Sequence, residues 1–149
     1  MKFKYTAKWA DAYGISYTPR IPVVFINPET KSEIPIIALV DSGASDILLD
    51  PQIGELLGID IPTGEKIVYA AVGSEVVGYL HTLKMRVAGT RYTHEVPCAF
   101  TEIGGDVRAV LGQRGFFEHY KPTVSLDVIS LVVSSCEYFR GHIEPYAAH

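Results

Sequence analysis

The run Ile37-Ala38-Leu39-Val40-Asp41-Ser42-Gly43-Ala44-Ser45 constrains this chain more than any other. An apolar, strand-like segment stops at a carboxylate, and small residues come directly after it. A carboxylate at the end of a buried strand is costly unless hydrogen-bond donors surround it. Small residues let the backbone turn back and aim N–H groups at the carboxyl oxygens. Gly43 has no Cβ, so another chain or a ligand can come close. Asp-Ser-Gly alone is a common turn. The apolar strand before it, and the order of the segments after it, make Asp41 a candidate functional acid.

The flanking sequence supplies a mostly-β frame. Short segments rich in valine, isoleucine and tyrosine lie between frequent prolines and glycines. Residues 21–26 and 34–40 read as a hairpin around the polar turn 27–31, and it delivers Asp41 to its end. The second of these strands is apolar on both faces, so it is expected to be central and buried. Asp50-Pro51 opens a short helix that Gly58 closes, with Ile53, Leu56 and Leu57 at helical spacing. Residues 66–72 and 75–87 read as two strands joined near Gly73-Ser74. A turn at 87–91, a strand over 91–100 and a loop at 104–106 come next. A second apolar run, 108–112, stops at Gly112. Residues 113–119 have room for one or two helical turns, and 123–133 for a final pair of strands or one long one. The expected fold class is all-β with one or two short helices, in a single domain over 1–149 whose core spans about residues 20–133.

Composition narrows the function classes. At 149 residues and 48% apolar content the chain is long enough and apolar enough for a globular core. A net charge of −4, without a basic stripe, gives no reason to expect a nucleic-acid partner. No apolar run reaches the roughly 18 residues of a membrane span. The first nine residues lack the apolar core and cleavage site of a secretory signal. Two cysteines, Cys98 and Cys136, are too few for a disulfide framework, and Cys98 reads as a small core residue. An intracellular, cytoplasmic location is expected, with no membrane partner. The five histidines (81, 94, 119, 142 and 149) show no metal-ligand spacing and are assigned to surface or tail; no metal and no cofactor is expected. Ser42 and Ser45 lack the glycine-serine-glycine elbow of a nucleophile. Gly112-Gln113-Arg114-Gly115 lacks the lysine-serine/threonine end of a phosphate loop.

Three landmarks in order resemble a single-lobe aspartic protease of the retroviral, retropepsin-like type. They are the apolar strand ending in Asp41-Ser42-Gly43-Ala44-Ser45, the hairpin tip Ala71-Val72-Gly73-Ser74 in the place of the flap, and Ala109-Val110-Leu111-Gly112. The resemblance covers roughly residues 20 to 133 and implies an acid-protease barrel with one lobe per chain. It leaves residues 1–19 and 134–149 without a counterpart.

Peptide hydrolysis of the kind the resemblance implies needs two adjacent carboxylates that share one proton. The sequence has one Asp-Ser-Gly. Gly105-Asp106-Val107 and Leu126-Asp127-Val128 lack the small residues of a carboxylate cradle. The second acid is therefore expected from another copy, which makes the partners a homodimer and a peptide or protein substrate. Asp41 is the expected catalytic residue, and Ser42, Gly43 and Ala44 the supporting loop. Gly43, Ser45 and Asp46 are expected to bind substrate together with the flap residues Val72, Gly73 and Ser74. The alternative is a non-catalytic dimeric module on the same fold that binds peptides or assists assembly.

Overall fold

Valine- and isoleucine-rich strands bonded on both edges need a sheet that has no exposed end, and here they close on themselves. A computed structural model describes residues 2–10, 12, 14–124 and 128–133. Its strands run β1 (Lys2–Lys4), β2 (Thr6–Ala10), β3 (Gly14–Thr18), β4 (Arg20–Ile26), β5 (Glu33–Val40) and β6 (Ile47–Leu49). The helix α1 (Pro51–Leu56) and a single 3-10 turn (Ile61–Thr63) come after them. The strands resume with β7 (Glu65–Ala71), β8 (Ser74–Val87), β9 (His94–Phe100), β10 (Ala109–Leu111), β11 (Tyr120–Val124) and β12 (Val128–Val133). Neighbours in the main sheet run β4-β5-β10-β6-β9-β8, and β8 pairs back onto β4, so six strands form a closed barrel. Closure removes the free edges that would invite pairing with other chains. β7 hangs from the outer half of β8, and β1-β12-β11 and β2-β3 form two smaller sheets.

The barrel interior is filled by one side-chain set from each strand. Ile21, Val23 and Phe25 from β4, Ala38 and Val40 from β5, and Leu83, Met85 and Val87 from β8 are all buried there. Val96, Cys98 and Phe100 complete the wall, and burial raises the Cys98 thiol pKa. At about 25 cal/mol per Å² of apolar surface removed from water, this filling is the main source of stability.

The helix is short because its signals are close together. Asp50 caps it by accepting from the Gln52 N–H at 3.0 Å, Pro51 opens it, and Gly58 leaves it at φ +72°. Asn27 in the first turn donates through Nδ2 to the Leu57 carbonyl at 2.9 Å, which fixes the helix end to the first hairpin. Ile53 and Leu57 are buried, but Leu56 faces solvent, so the apolar stripe is narrower than the sequence spacing implies.

Other expectations shift in detail. β5 is bonded to β4 and β10 on its two edges, yet Ile37 is 54% exposed, because the barrel covers only the inner face of this strand. The second hairpin turns at Val72-Gly73, one residue earlier than the sequence suggested, since Ala71 pairs with Ser74 and Gly73 takes φ +78°. Residues 113–117 form a kinked turn instead of a regular helix: Arg114 is extended and Gly115 is at φ +90°. The first nineteen residues, for which the resemblance has no counterpart, carry three strands.

The histidines divide. His142 and His149 lie outside the described residues. His81 is hydrogen-bonded through Nε2 to the Ile61 carbonyl at 2.9 Å. His94 and His119 are not ordinary surface residues. Their rings stack with centroids 4.2 Å apart, the Tyr120 ring stands edge-on to His94, and His94 Nε2 is buried without a hydrogen-bond partner. Burial lowers both pKa values. The neighbouring ring lowers His94 further, while the Glu118 carboxylate and the Glu95 backbone partly offset the shift at His119. The folded protein therefore favours the neutral rings. Their contribution to stability is complete above the ordinary histidine value of 6.5 and is lost as pH falls through the lowered folded values. Thermal unfolding across pH 7.5 to 5 checks this. The midpoint falls with acid, and His119→Gln makes that fall shallower.

Candidate active site

β5 carries Asp41 out of the barrel wall, and the backbone fixes it there. The Asp41 N–H donates to the Leu111 carbonyl at 3.0 Å, which extends the parallel β5–β10 pairing by one bond. The chain then folds back tightly. The Gly43 N–H donates to Asp41 Oδ1 at 2.9 Å, and the Ala44 N–H to the Asp41 carbonyl at 3.2 Å. Asp41 itself is half-buried, and Ser42, Gly43 and Ser45 face solvent. A carboxylate with one oxygen bound by an N–H and an open approach on the other side can take part in proton transfer.

The loop is closed from outside by the segment after β10. Gln113 N–H donates to the Ala44 carbonyl and Arg114 N–H to the Ser45 carbonyl, each at 2.9 Å. The Gln113 side chain donates to the Ser42 carbonyl at 2.8 Å. Gly112 lies between these contacts. A Cβ there would sit 2.2 Å from the Asp46 carbonyl oxygen and 2.6 Å from that of Ala44. No other residue type fits without moving backbone.

Asp46 departs from the role expected for its side chain. It is 1% exposed, and both carboxylate oxygens are taken up inside the protein. Arg114 Nε donates to Oδ1, and Tyr69 OH donates to Oδ2 at 2.8 Å. Burial alone would raise the Asp46 pKa. The hydrogen bonds from Arg114 and Tyr69, the Arg114 charge and the Ser45 hydroxyl outweigh it, so the carboxyl titrates below its ordinary 3.8. The Tyr69 pKa rises in turn, first through burial and then through the carboxylate it serves. The Asp46 side chain is thus committed inside the protein.

Tyr69 stands on β7, the first strand of the hairpin whose tip is Val72-Gly73-Ser74. Its ring passes over Gly78 on β8, where an added Cβ would meet Tyr69 Cε2 at 3.1 Å. Val72, Gly73 and Ser74 are exposed at the tip, and Val72 stands fully in solvent. Tyr69 therefore joins the hairpin to the Asp41 loop from three residues before the tip. Tyr69, Gln113 and Arg114 were missed in the sequence. The one signal available was the need of Asp46, in a segment of small and apolar residues, for a cation, which Arg114 meets. Among the described residues no group of three or more histidine, cysteine or acidic side chains has the geometry to hold a metal ion. No helix among them is long and apolar enough to cross a membrane.

A family model described as aspartyl protease matches residues 26–114. The chain is 27% identical over 121 residues to DNA damage-inducible protein 1 of Phaeosphaeria nodorum, covering 79% of this chain and 26% of that protein. It thus spans about a quarter of that relative's length. Among solved structures, a retropepsin-like aspartic protease from Rickettsia conorii superposes with a TM-score of 0.58 at 21% identity, over 89% of this chain and 98% of that one. That last likeness is one of fold.

Two substitutions separate the supports of this loop. Gly112→Ala is expected to destabilise the protein by about 3 kcal/mol or more, since its contacts are backbone and cannot yield like a flexible side chain. Tyr69→Phe leaves one buried oxygen of Asp46 without its donor and is expected to cost about 1–3 kcal/mol. Chemical denaturation of the two variants beside the parent measures both.

Proposed function

Because the chain belongs to the retropepsin-like aspartic protease family, we propose that it is an aspartic endopeptidase working as a homodimer, with Asp41 of each subunit forming the catalytic dyad. The observation that carries this reading is the setting of Asp41. It is cradled by the Gly43 N–H at the rim of the barrel, and the small residues beside it face outward. The acids closest to it in sequence have other work: Asp46 is bound by Arg114 and Tyr69, and Asp50 caps α1 and pairs with Arg108 at 3.1 Å. A second copy placed by a two-fold axis through the loop supplies the missing acid with the same cradle.

Two carboxylates in near contact retain one proton between them. The ionised one takes a proton from water as the water oxygen attacks the scissile carbonyl carbon. The protonated one donates to the carbonyl oxygen. The tetrahedral species collapses as the carbon–nitrogen bond breaks, and the leaving nitrogen takes up a proton from the dyad. Ser42 would hydrogen-bond to the partner's loop and hold the two acids in register, with Ala44 keeping the turn small. Gly43 and Ser45 would meet the main chain of an extended peptide. The Val72-Gly73-Ser74 tip would close over that peptide, adding strand-like hydrogen bonds and excluding water. In this reading Asp46 positions the loop and does not touch the scissile bond.

Asp41→Asn tests it. The variant should keep its far-UV circular dichroism and its sedimentation behaviour. Its cleavage of a diverse peptide library should fall by about a thousandfold or more. Cleavage that persists would refute the dyad. A parent protein that forms dimers yet cuts nothing from acid to neutral pH would point instead to a module that only binds peptides.

A further inference from the structure

β2 and β3 form a two-stranded ribbon that does not belong to the barrel. Phe3 and Tyr5, just before it, pack against the core. From Thr6 onward the chain leaves that core. Register places Ala7 opposite Tyr17 and Trp9 opposite Ile15, and alternation puts these four on one face. Thr6, Ser16 and Thr18 fall on the other face. The apolar face is open to water: Trp9 is 69% exposed, Tyr17 59% and Ile15 54%. A lone two-stranded hairpin is marginally stable in water, and an exposed patch of this kind marks an interaction surface.

We infer that this face packs on a second copy of the same chain, as an arm of the homodimer. The inference rests on the dimeric reading given above and adds to it where part of the contact lies. The root of the ribbon supports it. Pro19 comes directly after β3, and its carbonyl accepts the Val40 N–H at 2.8 Å, one residue before Asp41. Arg20 holds that root in place, donating through Nε to Thr18 Oγ1 at 3.0 Å and through Nη2 to Asp106 Oδ1 at 3.1 Å. A two-fold axis that brings Asp41 to its mate therefore passes close to the base of both ribbons, and each stands where it can reach the other subunit.

Area gives the second argument. Ser42, Gly43, Ala44 and Ser45 are too small to hold a dimer by themselves. Large side chains bury roughly 150–250 Å² each when covered, so Trp9, Ile15 and Tyr17 leave about 300 Å² bare per ribbon. Covered on both subunits against equal partner surface, this comes to about 1,200 Å², the lower edge of the range for specific stable interfaces. Trp and Tyr are also the side chains that most often anchor such contacts.

Trp9 is the one tryptophan in the sequence, so its fluorescence reports on this face alone. On diluting the parent protein through its dimer–monomer transition, tracked by sedimentation equilibrium, the emission should move to the red in step with dissociation. The double variant Trp9→Gln with Tyr17→Gln should raise the dimer dissociation constant about tenfold or more, while far-UV circular dichroism stays that of the parent. A parent dimer whose Trp9 emission is solvent-like at every concentration overturns the inference and leaves the catalytic reading standing. A spectral shift that tracks added extended peptide, and not protein concentration, also overturns it and makes the ribbon a peptide-docking face. A parent that is monomeric at all concentrations removes both readings together.

Discussion

Gly112 passes within van der Waals reach of the backbone of residues 44 and 46, and much of the candidate site depends on that passage. Four main-chain hydrogen bonds in this region, Asp41 to Leu111, Ala44 to Asp41, Gln113 to Ala44 and Arg114 to Ser45, turn an exposed loop into an extension of the β5–β10 pairing. Because the bonds run between peptide groups, they place Asp41 with little regard to which side chains surround it. Backbone groups at a loop that cannot all reach water need such partners. Here the partners come from a strand far away in the sequence, so the loop's geometry depends on the β5–β10 pairing.

A second layer of order comes from a buried charge. The Asp46 carboxylate would be costly in the protein interior without its two donors. Arg114, whose side chain is half in solvent, supplies charge from the segment that clasps the loop, and Tyr69 supplies a hydroxyl from the hairpin above. Three segments of chain thus meet on one carboxylate. The loop that carries Asp41, the turn after Gly112 and the overhanging hairpin are held in a common geometry by side chains, as the first two already are by their backbones.

The parts of this arrangement legible in the sequence were those written locally. The strand ending at Asp41, the Asp50-Pro51 start and Gly58 end of α1, and the run stopping at Gly112 all rest on neighbours within a few residues. Two-residue turns were legible to within one position, since Val72-Gly73 and Gly73-Ser74 are both acceptable turn pairs and only strand register decides between them. The features that were not legible depended on distant contacts. Tyr69 looks like any strand tyrosine until β7 is placed over the loop. Arg114 looks like a surface cation until Gly115 swings the chain at φ +90° toward Ile47. The stack of His94 on His119 joins residues twenty-five positions apart and has no local signature. The small β1 to β3 strands were hidden for a related reason: their apolar side chains alternate over too few residues to stand out, and part of that surface has no core to face.

β8 is fourteen residues long, and its two halves do different things. From Tyr79 to Val87 it is barrel wall, bonded to β9 and, at its end, to β4, with Leu83 and Met85 in the interior. From Ser74 to Gly78 it projects beyond the wall as one arm of the overhanging hairpin, steadied near its root where Thr101 Oγ1 donates to the Val77 carbonyl at 3.0 Å. The projecting half is paired with β7 along its length and is continuous at its base with the part of β8 that lies in the barrel wall. The position of the Val72-Gly73 tip therefore rests on the packing beneath it, around Leu83 and Met85, several residues away along the same strand.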